Sequence, residues 1–486
     1  MTSSQMEDKK KKVSVISRLT LVLETPHKRN QYLAGFLATI AMFMTGNVMG
    51  WSSPVQIKLK NDETPFYCTE DQWGWAVSFY QLGTAPWSIF AGTFADILGR
   101  RLTLLLAGPI FLVAWTVAFF SYNCSTLMVS RLIAGGGSAI GSAVCALYIG
   151  EICEPAIRGR VGALVMIMNN SGVLFSYVVG PYVSYKTFVL ILFIIPFIFI
   201  ITFCWMPETP YFRLRQGKRD EAMKCLLKFR GLTDDQQLDN ELDTMKKGVD
   251  SEMQNKTSVI ELFKQPITRK AMILLIGVKT MQHFSGVSAI QSYMQNIFEE
   301  ADSFIPASFA AIVCVVVQLI SGFFTSYFVD RFGRKPLLLS SCSGTAVALF
   351  SVGLYFFLKD YIECDVTSIS WLPLVSIMLF MIVQTIGVGT LSYIFLSEIF
   401  PTNLRGSAAL VGTMYGSLAG FAVTKLFSVI SNALDIFVTF WMCSIIMICG
   451  IIFTIFFVFE TKGKSLVQIQ NELSNKANNR LVQVTA

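Results

Sequence analysis

The stretch ADILGRR, residues 95–101, returns later in the chain as VDRFGRK, residues 329–335. A second pair of related stretches follows the two copies, GEICEPAIRG at 150–159 and SEIFPTNLRG at 397–406. In both members of this second pair, a Glu stands seven residues before an Arg. Two motifs that recur in the same order indicate that the chain consists of two related halves.

The chain as a whole is too apolar for a water-soluble protein. Of its 486 residues, 53% are hydrophobic and 15% are charged, whereas soluble domains carry about 25% charged residues. Apolar runs long enough to cross a hydrocarbon core of about 30 Å recur along it. We count twelve of them, near residues 31–51, 73–94, 102–121, 127–149, 161–182, 187–205, 270–296, 304–328, 336–357, 371–396, 407–430 and 436–458. Because lipid offers the backbone no hydrogen-bond partners, each run is predicted to be a helix.

The predicted fold is therefore an all-α membrane protein with twelve transmembrane helices in two pseudo-symmetric six-helix halves. A hydrophilic segment with apolar residues at helical spacing separates the halves and predicts short amphipathic helices. The predicted segments are an N-terminal tail over 1–30, a first half over 31–205, a helical linker over 206–269, a second half over 270–458 and a C-terminal tail over 459–486.

Basic residues are unevenly distributed between the two sides of this predicted bundle. The tails, the linker and the loops on the same side hold most of them, so the positive-inside rule places both termini in the cytosol. The net charge of +7 follows from this bias and predicts a lipid bilayer, and no nucleic acid, as the partner surface. The predicted exterior side holds few basic residues: Lys58, Lys60, Lys186, Lys359 and, near a helix mouth, Arg131.

The cysteines give little information on function. Most of the eleven lie in apolar spans, where cysteine acts as a small hydrophobic side chain. Only Cys68 and Cys364 lie clearly in predicted exterior loops, and a disulfide can form between them. We find no nucleophile–base constellation, nucleotide loop or metal-ligand cluster, so the sequence predicts neither an enzyme nor a cofactor or metal.

The repeated motifs place carboxylates and guanidinium groups at the predicted cytosolic ends of the spans, where they can pair, while Gly permits tight turns. We predict a gating network whose pairs close the cytosolic side and release when the halves rock apart. Its predicted members are Asp96, Arg100, Arg101, Glu151, Arg158, Glu208, Asp330, Arg334, Glu398, Arg405 and Glu460.

Together the motifs closely resemble those of the sugar porter family of the major facilitator superfamily, over about residues 31–470. The matching stretches are DILGRR, DRFGRK, GEICEPAIRGR, PETPYFRL, SGVSAIQSY, SEIFPTNLRG and FETKGKSL. Within the family, the chain is most similar to insect facilitative sugar transporters, including the trehalose transporter-like group. GWSSP at 50–54, FAVTK at 421–425 and the twelve-residue spacing of Gln318 from Asp330 support this placement.

The resemblance implies that a sugar binds in a central cavity between the halves, mainly through span 7. Sugar hydroxyls both donate and accept, so amide and hydroxyl side chains are natural partners. Lys279, Gln282 and His283 share one face of span 7 by helical spacing. The expected substrate-binding residues are Gln282, His283, Ser288, Gln318, Asn47, Asn170, Thr390 and Tyr393.

Each of these residues has a plainer alternative. Asn170, and Gln81 on span 2, can join neighbouring helices without meeting a ligand. His283 can do the same. Lys279 either faces the substrate site or extends its long stem towards the cytosol.

The chain also departs from the family pattern at several positions. His283 and Ser288 stand where the family usually has Gln and Asn. GVGTLSY at 387–393 replaces Gly-x-Gly-Pro-x-Pro-Trp, so span 10 should be straighter or should bend at its glycines. Gly416-Ser417 aligns with an Asn-Trp pair of the family.

Proton-coupled relatives carry an acidic residue midway along span 1, where this chain has Asn47. We therefore expect a uniporter for a hexose or trehalose that works by alternating access, in the plasma membrane. The alternatives are a sugar sensor or transport-poor receptor of the same fold, a proton-linked porter and a polyol porter. The oligomeric state is left open.

Overall fold

The computed structural model describes residues 26–231, 235–254, 260–302, 305–464 and 468–469. The first half contains α1 (Pro26–Gly50), α2 (Ser52–Lys60), α3 (Glu70–Ile97), α4 (Arg100–Phe119), α5 (Cys124–Ile152), α6 (Pro155–Val179) and α7 (Tyr185–Phe203). The linker contains α8 (Pro210–Arg215), α9 (Arg219–Arg230), α10 (Asp235–Gln254) and α11 (Glu261–Lys264). The second half contains α12 (Pro266–Phe284), α13 (Val287–Glu300), α14 (Ala307–Phe332), α15 (Arg334–Phe356), α16 (Leu372–Gln384), α17 (Thr390–Ile399), α18 (Thr402–Ala433) and α19 (Ile436–Phe457).

These helices form the twelve predicted spans. Eleven segments of the described chain are long and apolar enough to cross a membrane. The remaining span is α3, which has 28 residues but begins with the acidic pair Glu70 and Asp71. Spans 1, 7 and 10 are each built from two consecutive helices. The prediction of an all-α membrane protein with twelve spans is confirmed.

Span 7 is interrupted at Gly286, which separates α12 from α13. Its φ of +80° lies in the left-handed region, which glycine adopts without the steric cost that a Cβ adds. A Cβ at this position would also lie 3.2 Å from the Cys443 sulfur of span 12. The two parts of span 7 therefore differ in rotation, and helical spacing across residue 286 does not place side chains on one face.

Span 10 is interrupted by one wide π-helical turn, Thr385–Gly389. Such a turn leaves backbone groups without their ordinary helical partners, and side chains bond some of them here. The Thr390 hydroxyl donates to the Thr385 carbonyl at 2.8 Å, and the Val388 N–H donates to the Ser341 hydroxyl at 3.1 Å. Span 10 is thus irregular at its glycine-containing segment.

The halves face each other along three helix pairs of the described chain, in which α3 packs on α18, α6 packs on α14 and α2 packs on α13. Within the first half, small residues bring the helices close together. A Cβ on Gly135 of α5 would lie 2.4 Å from the Tyr80 carbonyl oxygen of α3. Close backbone approach of this kind is a common way to pack helices in membranes.

The linker helices form a small core of their own against one end of the bundle, which we call the linker end. This core contains Leu214, Ala222, Leu226, Leu238, Leu242, Met245 and Val249, as the amphipathic pattern predicts for α8 and α9. Arg230 fastens the core to the first half, because its guanidinium donates to the Ile152 carbonyl at 2.9 Å and to Glu241 at 2.6 Å. The opposite end of the bundle is called the distal end.

One disulfide cross-links two segments at the distal end of the first half. It joins Cys68, in the loop before α3, to Cys124, the first residue of α5. The disulfide that the loops allowed between Cys68 and Cys364 does not form, since Cys364 is an exposed free thiol. Cys124 stands in the short stretch between predicted spans 3 and 4, where it begins a helix beside the loop of Cys68.

Candidate substrate site and charge clusters

At the linker end, the first half holds a compact cluster of charged and polar groups, which we call the first charge cluster. Arg100 Nε lies 2.8 Å from Glu151 Oε1, and the Thr209 hydroxyl donates to Glu151 Oε2 at 2.5 Å. Glu208 accepts the backbone N–H groups of Arg100 and Arg101 at 3.1 Å. Because these N–H groups begin α4, Glu208 caps a helix whose positive end favours a carboxylate.

The second half repeats this geometry in a second charge cluster. Arg334 Nη2 lies 2.8 Å from Glu398 Oε1, and the Thr461 hydroxyl donates to Glu398 Oε2 at 2.5 Å. Glu460 accepts the N–H groups of Arg334 at 2.9 Å and Lys335 at 3.0 Å. Burial raises the pKa of Glu460, but these backbone hydrogen bonds outweigh it and hold the pKa below its ordinary value.

Two predicted network members, Asp96 and Asp330, lie at the edge of these clusters. Asp96 is 3.5 Å from Arg100 Nη1 and also bonds Arg215 of the linker. Asp330, its counterpart in the repeat, is exposed. Asp96 therefore connects the first charge cluster to the linker helices.

Arg158 and Arg405 take equivalent places in the two halves. Arg158 Nη2 lies 3.4 Å from the Cys153 carbonyl oxygen, and Arg405 Nη2 lies 3.4 Å from that of Phe400. Each guanidinium thus contacts the end of the preceding helix. The ion pair between Arg and Glu in each cluster joins two residues of the same half. The clusters therefore do not bridge the halves in this structure.

The contacts that join the halves lie near the distal end. Two are ion pairs, Lys425–Asp71 at 2.6 Å and Lys60–Glu300 at 3.6 Å. Two are hydrogen bonds between a side chain and the backbone. The Gln295 N–H donates to the Ser53 hydroxyl at 2.9 Å, and the Tyr177 hydroxyl donates to the Gln291 carbonyl. The distal end is thus closed by contacts between side chains and backbone of both halves.

Behind this closure lies a small cavity of about 10 Å³ between the halves, which we call the central cavity. It has room for roughly one water molecule in this closed state. Gln81 and Arg131 line it from the first half, and Ser288 and Gln291 line it from the second. Gln81 donates to Ser288 at 3.4 Å, and Gln291 donates to Gln318 at 2.9 Å. Of the predicted substrate residues, Ser288 lines the central cavity directly and Gln318 lies one side chain behind it.

Gln282 and Tyr393 both contact the ammonium group of Lys279. The Lys279 ammonium donates to Gln282 Oε1 at 3.0 Å and lies 4.1 Å from the centre of the Tyr393 ring. Only 6% of Lys279 is exposed. Its ammonium connects the Gln282 amide to a ring of span 10.

His283 packs against the glycines of span 11. A Cβ on Gly416 would lie 2.7 Å from His283 Nε2, and a Cβ on Gly420 would lie 3.3 Å from His283 Nδ1. The imidazole therefore occupies space that a larger residue at 416 would need. Its Nδ1 is buried and has no hydrogen-bond partner among the described residues, so it does not serve as a polar link to a neighbouring helix.

Asn47 and Asn170 lie against other helices in this structure, whereas Thr390 bonds within its own span. Asn47 Oδ1 lies 3.4 Å from the Ser176 hydroxyl on span 5. Asn170 Nδ2 lies 3.8 Å from the Cβ position of Gly322, across the interface between the halves. The Thr390 hydroxyl donates to the Thr385 carbonyl of span 10. In the state described, both amides therefore lie at helix interfaces.

Sequence reasoning missed two buried polar residues. Gln384 donates to the Ser285 hydroxyl at 3.1 Å and leaves its own Oε1 without a partner in the described chain. Arg131, expected near a helix mouth, is 3% exposed and donates to the Val48 carbonyl at 2.8 Å and to the Ser52 hydroxyl at 3.2 Å. A polar residue inside an apolar span is itself a signal of function, and both residues carry it.

The chain has twelve spans in two pseudo-symmetric halves, with a central cavity between them and one end closed by contacts between the halves. This is the architecture of a membrane transporter. The family model described as "Sugar (and other) transporter" matches residues 30–473, so the chain belongs to that family. It is a multi-pass membrane protein and not an enzyme.

Curated relatives cover most of the chain. The facilitated trehalose transporter Tret1 of Apis mellifera ligustica is 32% identical over 447 residues, which cover 91% of this chain and 88% of that protein. Tret1 of Polypedilum vanderplanki is 31% identical over 449 residues, with 92% and 88% covered. The predicted resemblance to insect facilitative sugar transporters is confirmed.

Solved structures agree on the fold. The inward open conformation of the xylose transporter XylE from E. coli matches with a TM-score of 0.75 at 20% identity, covering 90% of this chain and 98% of that one. The proton:xylose symporter XylE bound to 6-bromo-6-deoxy-D-glucose matches with a TM-score of 0.72 at 20% identity, covering 92% and 100%. At this identity the likeness establishes the major facilitator fold.

Proposed function

We propose that this protein is a uniporter that carries a hexose or trehalose across the plasma membrane by alternating access. The observation that carries the proposal is the central cavity, whose polar lining consists of amides, hydroxyls and the buried Arg131. Amides and hydroxyls both donate and accept, which suits an uncharged polyol. The relatives named trehalose transporters support the choice of sugar.

In this proposal the linker end faces the cytosol, and the structure is a state closed at the distal end. Gln282 and Ser288 contact the sugar, and Gln291 positions Gln318 towards it. The two charge clusters hold the helix ends of each half together, so that each half moves as one body. The gate itself is the set of distal contacts between the halves.

The surroundings of Arg131 support uniport. Its guanidinium is held by the Val48 carbonyl and the Ser52 hydroxyl and lies 5.0 Å from the ring centre of Trp51 and 5.2 Å from that of Tyr80. Within the described chain, no carboxylate forms an ion pair with it. Proton coupling would need a carboxylate near this cation that gains and loses a proton. Asn47 occupies the position in span 1 where that carboxylate is expected.

Uptake into proteoliposomes tests the proposed function. We expect labelled glucose or trehalose to equilibrate across the membrane at a rate that an imposed pH gradient does not change. Fructose and inositol serve as competing solutes. Sugar binding without uptake would support a sensor, and accumulation driven by the pH gradient would overturn uniport.

Asn47→Asp should make uptake depend on pH, while uptake by the natural protein should not. The substitution puts a carboxylate at a position only 1% exposed, one residue from the carbonyl that binds Arg131. The measurement is initial uptake rate at acidic and neutral pH on both sides. Asn47→Ala, which removes the amide without adding an acid, is the matched control and should show no new pH dependence. Equal pH profiles for Asn47→Asp and Asn47→Ala would contradict this assignment.

A further inference from the structure

Spans 2 and 11 come from different halves and pack closely at the distal end, along a contact that we call the distal seam. Its first-half side is the start of α3, where Asp71, Gly74 and Trp75 lie on one face by helical spacing. A Cβ on Gly74 would lie 2.5 Å from the Ser428 hydroxyl oxygen and 3.5 Å from Lys425 Nζ of α18. The lack of a side chain at residue 74 thus lets the two helices approach this closely.

Lys425 supplies the charged contacts of the distal seam. Its ammonium lies 2.6 Å from Asp71 Oδ1, donates to the Asp71 carbonyl at 3.2 Å and stands 4.5 Å from the centre of the Trp75 ring. The Lys425 side chain is 12% exposed, whereas that of Asp71 is 69% exposed. One ammonium of the second half thus makes three contacts with the first half, and all of them must break when the halves separate at this end.

The other ion pair between the halves of the described chain has a looser geometry. Lys60 and Glu300 lie 3.6 Å apart, and both side chains are exposed. Exposed ion pairs contribute little, because water competes for both charges. The Lys425 ammonium is instead largely removed from water, and it has both a carboxylate and an aromatic ring as partners. Of these two ion pairs, that of Lys425 is therefore the stronger contact across the distal closure.

The distal seam continues directly to the central cavity. Thr424, the neighbour of Lys425 in the chain, lines that cavity, and so do Val77 and Gln81 of α3. The Cβ position of Gly420 on α18 lies 3.4 Å from Gln81 Nε2, so the close packing of the two helices extends past Thr424. Opening the central cavity towards the distal end therefore requires spans 2 and 11 to part at the distal seam.

We propose that Lys425 is the latch of the distal closure, a positioning residue that holds span 2 against span 11 and keeps the sugar-free protein closed at this end. The inference rests on the proposed function only in that the protein alternates between two states. A contact that is made in one state and lost in the other shifts the populations of the two states by its free energy. Because Asp71 remains exposed to water, removal of the latch should raise the distally open population about fivefold.

The test measures opening of the distal end directly and needs no transport. Nitroxide labels are attached to Tyr182→Cys in the first half and to Trp371→Cys in the second half of the full-length protein, both at exposed positions of the distal end. Cys204→Ser, Cys364→Ser and Cys449→Ser remove the exposed thiols of the described chain. Electron–electron double resonance in lipid nanodiscs without sugar then gives the fraction of molecules in which the two labels are far apart. This fraction is the distally open population.

Lys425→Met and Asp71→Asn keep the approximate shape of each side chain and should each raise the open fraction about fivefold. The double variant should raise it no further, because the two residues form one pair. Lys425→Arg keeps the charge and should leave the open fraction unchanged. Lys359→Met is the matched control, since Lys359 lies 2.5 Å from Asp302 of the same half and the two partners differ in exposure as Lys425 and Asp71 do. It should also leave the open fraction unchanged.

An open fraction that stays the same in both Lys425→Met and Asp71→Asn would overturn the proposal. So would effects of the two substitutions that multiply in the double variant, or an equal rise in Lys359→Met. If Lys425→Met does not fold, Asp71→Asn removes the same contact from the other side and decides the question. Since the readout is a distance and not uptake, failure of the latch is distinguishable from failure of transport.

Discussion

Glu151→Ala should lower the free energy of unfolding by about 3–5 kcal/mol, the cost of leaving a buried charge without its partner, and should abolish uptake. The Arg100 side chain is 9% exposed and Glu151 is 16% exposed, so water cannot replace the lost carboxylate. Thr209 also loses its acceptor. Thermal unfolding in detergent, followed by tryptophan fluorescence, and sugar uptake in proteoliposomes measure the two effects.

The repeat supplies a control for this substitution. Glu398→Ala removes the equivalent carboxylate of the second charge cluster and should have a similar but smaller effect, because the side chains of Arg334 and Glu398 are 14% and 23% exposed. Glu221→Ala breaks ion pairs of a carboxylate that is 46% exposed, and such pairs contribute little. If Glu151→Ala unfolds at the same temperature as Glu221→Ala, the first charge cluster does not stabilise the half.

The two halves were predictable because their signals are local and repeated. Hydropathy marks each span, and the copies at 95–101 and 329–335 set the repeat. The partners of Glu151 and Glu398 were harder to predict. The Glu-Thr pairs at 208–209 and 460–461 are a third repeat, and in each the Thr bonds the carboxylate of the cluster. A match of only two residues is too short to detect without the geometry.

The direction of side chains in span 7 could not be predicted from spacing. A continuous helix would put residue 286 on the face of Lys279 and Gln282, but the left-handed φ of Gly286 rotates the second part of the span. Ser288 and Gln291 therefore line the central cavity, while Gln282 bonds Lys279. A single glycine in a sequence does not reveal its φ, so the break becomes visible only in the structure.

The pairing of Cys68 and the burial of Arg131 depended on contacts between elements distant in sequence. Arg131 lies 83 residues from the Val48 carbonyl that binds it, and Cys68 lies 56 residues from Cys124. Periodicity within one span carries no information on such pairs. The sequence alone could show that a charged residue lay in an apolar span, which is a reason to test it as functional.

Gln282→Ala should weaken saccharide binding at the central site about fivefold. The Gln282 amide accepts from Lys279 through Oε1, which leaves its Nε2–H₂ group free to donate to a sugar hydroxyl. The substitution removes that donor and also leaves a 6%-exposed ammonium without its acceptor. The unpaired ammonium is present in both the free and the bound variant, so it lowers stability and does not enter Kd. The loss of about 1 kcal/mol for the hydrogen bond corresponds to about a fivefold change in Kd. Equilibrium dialysis of labelled glucose and trehalose in nanodiscs measures it.

Two further variants separate contact with the sugar from support of the site. Lys279→Gln keeps a donor near Gln282 Oε1 but removes the charge, so binding should fall less than in Gln282→Ala. Gln265→Ala changes an exposed glutamine at the start of the same span and should leave Kd unchanged. If Lys279→Gln binds sugar as weakly as Gln282→Ala, the ammonium itself, and not the amide that it orients, is the main contact with the substrate. Central-site binding that is the same in Gln282→Ala and Gln265→Ala would remove Gln282 from the site.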